Sequence, residues 1–121
     1  MDKRELQART KQFALRVIRL CSKLPKNTVG RVIGAQLLRC GTSVGANYRA
    51  ACLGKSHPDF INKLKICEEE ADESVYWIEL IVDSELMKKE LLDSILQEAR
   101  EISFIMSASV KTARSSGATS E

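Results

Sequence analysis

Aromatic side chains are nearly missing from this chain: one tryptophan, two tyrosines and three phenylalanines make up 5% of 121 residues. A β-sandwich leans on aromatic and β-branched packing, so 44% hydrophobic residues with so few rings point to aliphatic and alanine packing between helices. Histidine occurs once, and Cys21, Cys40, Cys52 and Cys67, spaced by 19, 12 and 15, form no CxxC pair. A zinc site needs clustered nitrogen and sulfur ligands, which that spacing excludes. No metal and no cofactor is expected, and four thiols among apolar or small residues read as reduced core side chains. Nor does any apolar run approach the ~20 residues that cross a bilayer, and no signal-peptide core follows the basic N-terminus. The expectation is one soluble, cytoplasmic domain with no membrane association.

Acid is scarce in one half only. Residues 1–65 carry 14 Lys and Arg against 3 Asp and Glu, whereas residues 66–121 carry 5 against 13, and the whole chain is +3. Such asymmetry along a sequence suggests contact with nucleic acid or an acidic partner. The two halves also stand to neutralise each other in an antiparallel bundle.

What is present is helical periodicity. Turn signals at 24–28, 53–58 and 83–89 divide the chain into four long segments. In residues 2–24, Leu6, Phe13, Val17, Leu20, Cys21 and Leu24 share one sector, and Arg9, Arg16, Arg19, Lys23 and Lys26 lie opposite. Residues 28–53 place Val29, Ile33, Leu37, Cys40, Val44 and Ala51 on one face. That period runs through Arg39–Ala51, "RCGTSVGANYRAA", so the stretch reads as helix rather than as a phosphate loop, which needs a preceding strand and a terminal Gly-Lys-Ser/Thr. Gly34, Gly41 and Gly45 share a stripe; each glycine costs a helix ~1 kcal/mol relative to alanine, so three imply a close helix–helix approach or a bend.

Ser56 caps the third helix, with Asp59 three residues on and Pro58 in the first turn. Its core face is Phe60, Leu64, Cys67, Ala71, Val75, Ile78 and Val82. A second apolar patch, Ile66, Trp77, Leu80 and Ile81, calls for a further surface to bury and is assigned to an oligomer interface. The fourth helix, about 86–113, uses Leu91, Leu92, Ile95, Ala99, Ile102, Met106 and Val110. Short connections make this an all-α, antiparallel up-down-up-down four-helix bundle over residues 1–114, with residues 115–121 a disordered tail.

The second and third helices carry a further pattern. Arg39, Ser43-Val44-Gly45-Ala46-Asn47, Asp59-Phe60 and Glu69-Glu70-Ala71-Asp72-Glu73 ahead of Trp77 resemble the four-helix-bundle family first noticed in intervening sequences of bacterial large-subunit ribosomal RNA genes, whose members are also called S23-like ribosomal proteins. Many relatives have proline in place of Gly45 and a Glu-Gly pair in place of Ala50-Ala51, so a role resting on that glutamate does not transfer. The resemblance implies a bundle that assembles into a homo-oligomeric ring, a pentamer, and no catalytic activity. A related bundle, the accessory protein of diversity-generating retroelements, partners a reverse transcriptase and nucleic acid, and both kinds of partner are expectations for this chain.

The residues themselves offer little catalysis. His57, beside Pro58 at a helix start, reads as an exposed first-turn residue, and Ser43 with Asn47 makes no nucleophile–base pair. Glu70 and Glu73 read as structural partners of Arg39, whose planar guanidinium can bridge two carboxylates. The basic face of the first two helices, Arg9, Arg16, Arg19, Lys23, Arg31 and Arg49, is the nucleic-acid candidate. Without interleaved aromatics or a recognition-helix motif it suits the backbone of structured RNA or of an RNA or DNA duplex. The alternative is a homo-oligomeric protein-interaction scaffold with no nucleic-acid role.

Overall fold

The computed structural model describes the backbone of residues 1–119 and the side chains through residue 116. Four helices follow in order, α1 (Lys3–Ser22), α2 (Thr28–Cys52), α3 (His57–Asp83) and α4 (Asp93–Thr119), with a 3-10 turn at Lys89–Leu91 before the last. Each of the first three opens on a side-chain cap. The Asp2 carboxylate accepts from the Glu5 amide at 2.8 Å, Asn27 Oδ1 from the Gly30 amide at 2.8 Å and Ser56 Oγ from the Asp59 amide at 3.2 Å. These bonds satisfy amide groups that have no partner within the helix.

Consecutive helices pack side by side, and α4 returns against α1 to close an antiparallel four-helix bundle, the α1–α4 seam being the least extensive of the four. Phe13, Leu37, Leu64, Ile78, Ile81, Leu92, Ile102 and Met106 are fully enclosed, each worth about 1.5–3 kcal/mol of transfer free energy. Two buried hydroxyls supply their own partners. Thr10 donates to the Leu6 carbonyl at 2.9 Å and Ser74 to the Glu70 carbonyl at 2.8 Å.

The glycine stripe lies where α2 meets α1. A Cβ on Gly41 would stand 2.8 and 2.9 Å from the two methyls of Val17, one on Gly34 3.2 Å from Leu24, and one on Gly45 3.3 Å from the backbone of Thr10. The stretch is helix throughout, and its glycines permit a close approach.

Several expected core positions differ. On α3 the buried stripe is Leu64, Cys67, Ala71, Ser74, Ile78 and Ile81, in alternating steps of three and four. Ser74 can take the central place because its hydroxyl is satisfied within the helix, which moves Val75 and Val82 to the rim and draws Ile81 into the core. Val29 is 54% exposed, because Gly30 and Ile33 face inward instead. Leu91 is 65% exposed, because the chain between α3 and α4 is a loop and α4 begins only at Asp93. Helix α4 runs on through Ser115 to Thr119, with no proline there to stop it; the last two residues of the expected tail lie outside the described residues. No helix of the described residues is long and apolar enough to cross a membrane.

Candidate nucleic-acid interface

Between Leu6 and Pro58 the chain contains no aspartate or glutamate. Helix α2 therefore has no acid of its own, and α1 has only Glu5 near its start. Apart from Asp2 and Glu5 at the start of α1, any carboxylate facing the cations of these helices comes from residue 59 onward, and that decides which cations stay unpaired.

Arg9 is paired. Its Nε and terminal nitrogen meet the two oxygens of Glu98 at 2.9 and 2.7 Å, and the same terminal nitrogen reaches Glu101 at 2.9 Å. Hydrogen bonding to Glu98 raises the guanidinium pKa above its ordinary value. Arg9 is thus a clamp across the α1–α4 seam, and its place on the expected basic face is corrected. A helical wheel gives the direction of a side chain without saying that an acidic helix lies in that direction.

Arg16 also faces α4, but its partner is neutral: a terminal nitrogen donates to Ser94 Oγ at 2.8 Å. Arg16, Arg19 and Lys23 line one cleft of about 220 Å³ whose apolar wall is Leu20, Met87, Leu91 and Ile95. Arg49 lies elsewhere. It lines a groove of about 510 Å³ between α1 and α2 with Arg4 and Lys11, over small residues that include Ala8, Gly45 and Ala46. Arg31, exposed near the start of α2, lines neither space.

The expected single face is therefore three separate places and one clamp. Arg4 and Lys11 were missed, although they stand seven residues apart on one stripe, Lys11 within the acid-free run and Arg4 just ahead of it. Among the described residues, Arg4, Lys11, Arg16, Arg19, Lys23, Arg31 and Arg49 take part in no ion pair.

The α2–α3 side is different. Arg39 bridges Glu70 at 3.1 Å and Glu73, and hydrogen bonding to Glu73 raises its pKa. Glu73 also accepts from Trp77 Nε1 at 3.1 Å, which ties the half-buried indole down. Of the expected interface residues, Ile66 is exposed, Trp77 and Leu80 are half-buried against the core, and Ile81 is enclosed. Ile81 is therefore a core residue rather than an interface one. Exposed Tyr76, edge-on to Trp77 with centroids 5.1 Å apart, extends this surface.

Burial pushes the thiols of Cys21 and Cys67 up to about 11 and about 12, so both are protonated at neutral pH and are weak nucleophiles. His57 stands at the start of α3, exposed as expected, and its Nε2 lies 2.7 Å from the Ala113 carbonyl. No three His, Cys, Asp or Glu among the described residues are grouped to hold a metal ion.

The 23S rRNA-intervening sequence protein family matches residues 3–108 of the chain. The chain is also similar to a protein of unknown function from the S23 ribosomal protein family of Bacteroides thetaiotaomicron VPI-5482. The crystal structure of that protein superposes with a TM-score of 0.84 at 36% sequence identity, covering 92% of this chain and 99% of that one. No curated protein matches.

Proposed function

The chain belongs to the 23S rRNA-intervening sequence protein family, and from that premise we propose that it is a non-enzymatic protein binding the phosphate backbone of structured RNA or duplex nucleic acid through the α1–α2 groove. One observation carries the reading: Arg4, Lys11 and Arg49 line the groove with no carboxylate among its walls. The small residues beneath let a sugar–phosphate strand approach closely, and phosphate contacts of this kind bind without reading sequence. Four unbridged thiols suit a cytoplasmic setting.

Three cations per copy make a weak site. Neutralising three phosphates gives a log–log salt slope of about −2.7, hence a roughly 40-fold loss of affinity between 50 and 200 mM salt. Self-association, the second element of this proposal, repeats the groove and multiplies affinity through avidity. Exposed Tyr76 edge-on to Trp77, with exposed Ile66 three turns before Trp77 on the same helix, supplies the apolar side chains that support it. In the arrangement proposed the contact is head-to-tail, and such contacts close into a ring.

Fluorescence anisotropy of a labelled structured RNA tests the reading on nuclease-treated protein. Replacing Arg4, Lys11 and Arg49 together by glutamine is expected to weaken binding at least tenfold and to flatten the salt slope by about 1 per cation removed. Unchanged affinity in that variant, or no binding by the parent protein at low salt, overturns it.

A further inference from the structure

The cleft between the C-terminal half of α1 and the start of α4 differs from the α1–α2 groove in its floor. Leu20 and Ile95 form its base, while Met87 is half-buried and Leu91, in the 3-10 turn, is 65% exposed. Around this apolar floor stand Arg16, Arg19 and Lys23, and no carboxylate lines the space. Arg16 is held in place by Ser94 Oγ at 2.8 Å, a neutral partner that leaves the guanidinium charge uncompensated. A phosphodiester strand has nothing apolar to cover Leu91 and Met87. A partner that satisfies both halves of the cleft carries an apolar side chain and negative charges close around it.

The geometry points to a docking cleft for an acidic peptide segment of a partner protein, one apolar side chain seated on Leu20, Met87, Leu91 and Ile95 with flanking carboxylates on Arg16, Arg19 and Lys23. Charge complementarity selects the occupant: three unpaired cations ring about 220 Å³ of space, room for one anchoring side chain and little more. Charge-assisted hydrogen bonds between guanidinium and carboxylate fix the segment's direction, and the exposed leucine gains cover. The inference is independent of the nucleic-acid reading, because it uses a different flank of α1 and different cations.

The test uses the full chain and fluorescein-labelled peptides EEELEEE, EEEAEEE and QQQLQQQ at low salt. Saturable binding of EEELEEE is expected, at least tenfold tighter than either control. Arg19→Gln and Leu91→Ser should each weaken it at least fivefold, and since both side chains are exposed the fold is expected to survive, which circular dichroism checks. Lys11→Gln, in the other groove, should leave peptide binding unchanged. Equal binding of EEELEEE and EEEAEEE overturns the proposal, since the apolar floor is then unused. Two further outcomes also overturn it. If Arg19→Gln abolishes RNA binding and duplex RNA displaces the peptide, the cleft is a phosphate site. If Leu91→Ser lowers the mass of the peptide-free protein by light scattering, the occupant is a second copy.

Discussion

Helix α1 has two flanks that solve the same packing problem in opposite ways. Toward α2 it meets glycines, and the backbones come close enough that a single Cβ on Gly41 would press against both methyls of Val17. Toward α4 it stands off, and the gap is spanned by long polar side chains: Arg9 to Glu98 and Glu101, Arg16 to Ser94. One seam is specified by shape and the other by charge. Cations of the same helix consequently do different work according to what lies opposite. Facing α2, which has no acid, Arg4 and Lys11 remain unpaired; facing α4, Arg9 is consumed by structure.

The shape-specified flank should break most severely. Leucine at Gly41 would drive a side chain into Val17, which is fully buried and, being β-branched, is held to one strongly preferred rotamer in a helix. The expected loss is about 3 kcal/mol or more in urea unfolding. A milder cycle locates the cause. Gly41→Ala should destabilise the wild-type protein by about 1 kcal/mol, overpacking outweighing the gain in helix propensity. In a Val17→Ala background the same change should stabilise, since the obstructing methyls are gone. A cost that persists there would show that the flank is not held by this contact.

The charge-specified flank should yield less and respond to salt. Arg9→Gln leaves Glu98 and Glu101 close together without their cation, and a loss of about 1 kcal/mol is expected, shrinking in high salt because the pairs are partly solvated. RNA affinity should stay within twofold of the parent. A large loss of RNA binding in Arg9→Gln, with stability intact, would return Arg9 to the basic face and remove the distinction between the flanks.

These two flanks also mark where sequence reading succeeds. Periodicity is a local property, so four helices and the helical nature of the Arg39–Ala51 stretch were legible, as was a reason for three glycines on one stripe. Arg39 with Glu70 and Glu73 was legible too, because an arginine and an acidic run on adjacent helices of a hairpin must pass near each other. The fate of Arg9 was not. Its partners lie 89 and 92 residues away, and nothing local distinguishes it from Arg16, two turns further along the same face of the helix. Ile81 was misplaced for a related reason: hydropathy favours Val75 over Ser74 as a core residue, and only the serine's bond to its own helix makes the buried register possible. The partition of the candidate site into groove, cleft and clamp is tertiary information.

A thiol reports on the shape-specified flank without perturbing it. Cys21 Sγ donates to the Gly34 carbonyl at 3.4 Å, and burial pushes its pKa from 9.0 up to about 11. A folded pKa above the unfolded one means that the unfolded state loses its proton first. The associated stability is whole below pH 9 and declines as pH rises from about 9 through 11. Cys21→Ser should flatten that alkaline decline, and native Cys21 should alkylate slowly at pH 8. Gly41→Ala, by loosening the seam, should speed that alkylation; Arg9→Gln should not, if the flanks are independent.

The smallest expected effect lies at Gly45, where the two demands on the α1–α2 flank nearly cancel. A methyl there would sit 3.3 Å from the backbone carbon, carbonyl oxygen and Oγ1 of Thr10, tighter than ordinary contact but without the overlap found at Gly41. Thr10 is anchored by its bond to the Leu6 carbonyl, so the adjustment must come from a shift of α1 by tenths of an ångström. Gly45 borders the open groove, which leaves the helix room to make that shift. Against it stands a gain of up to ~1 kcal/mol in helix propensity. Gly45→Ala is therefore expected to change stability by no more than about 0.5 kcal/mol in either direction, and to weaken RNA binding at most about twofold by raising the floor between Arg4, Lys11 and Arg49. A loss matching that of Gly41→Ala would mean that close approach is required along the whole seam. A neutral result would confine the requirement to the single contact with Val17 and leave Gly45 to the groove.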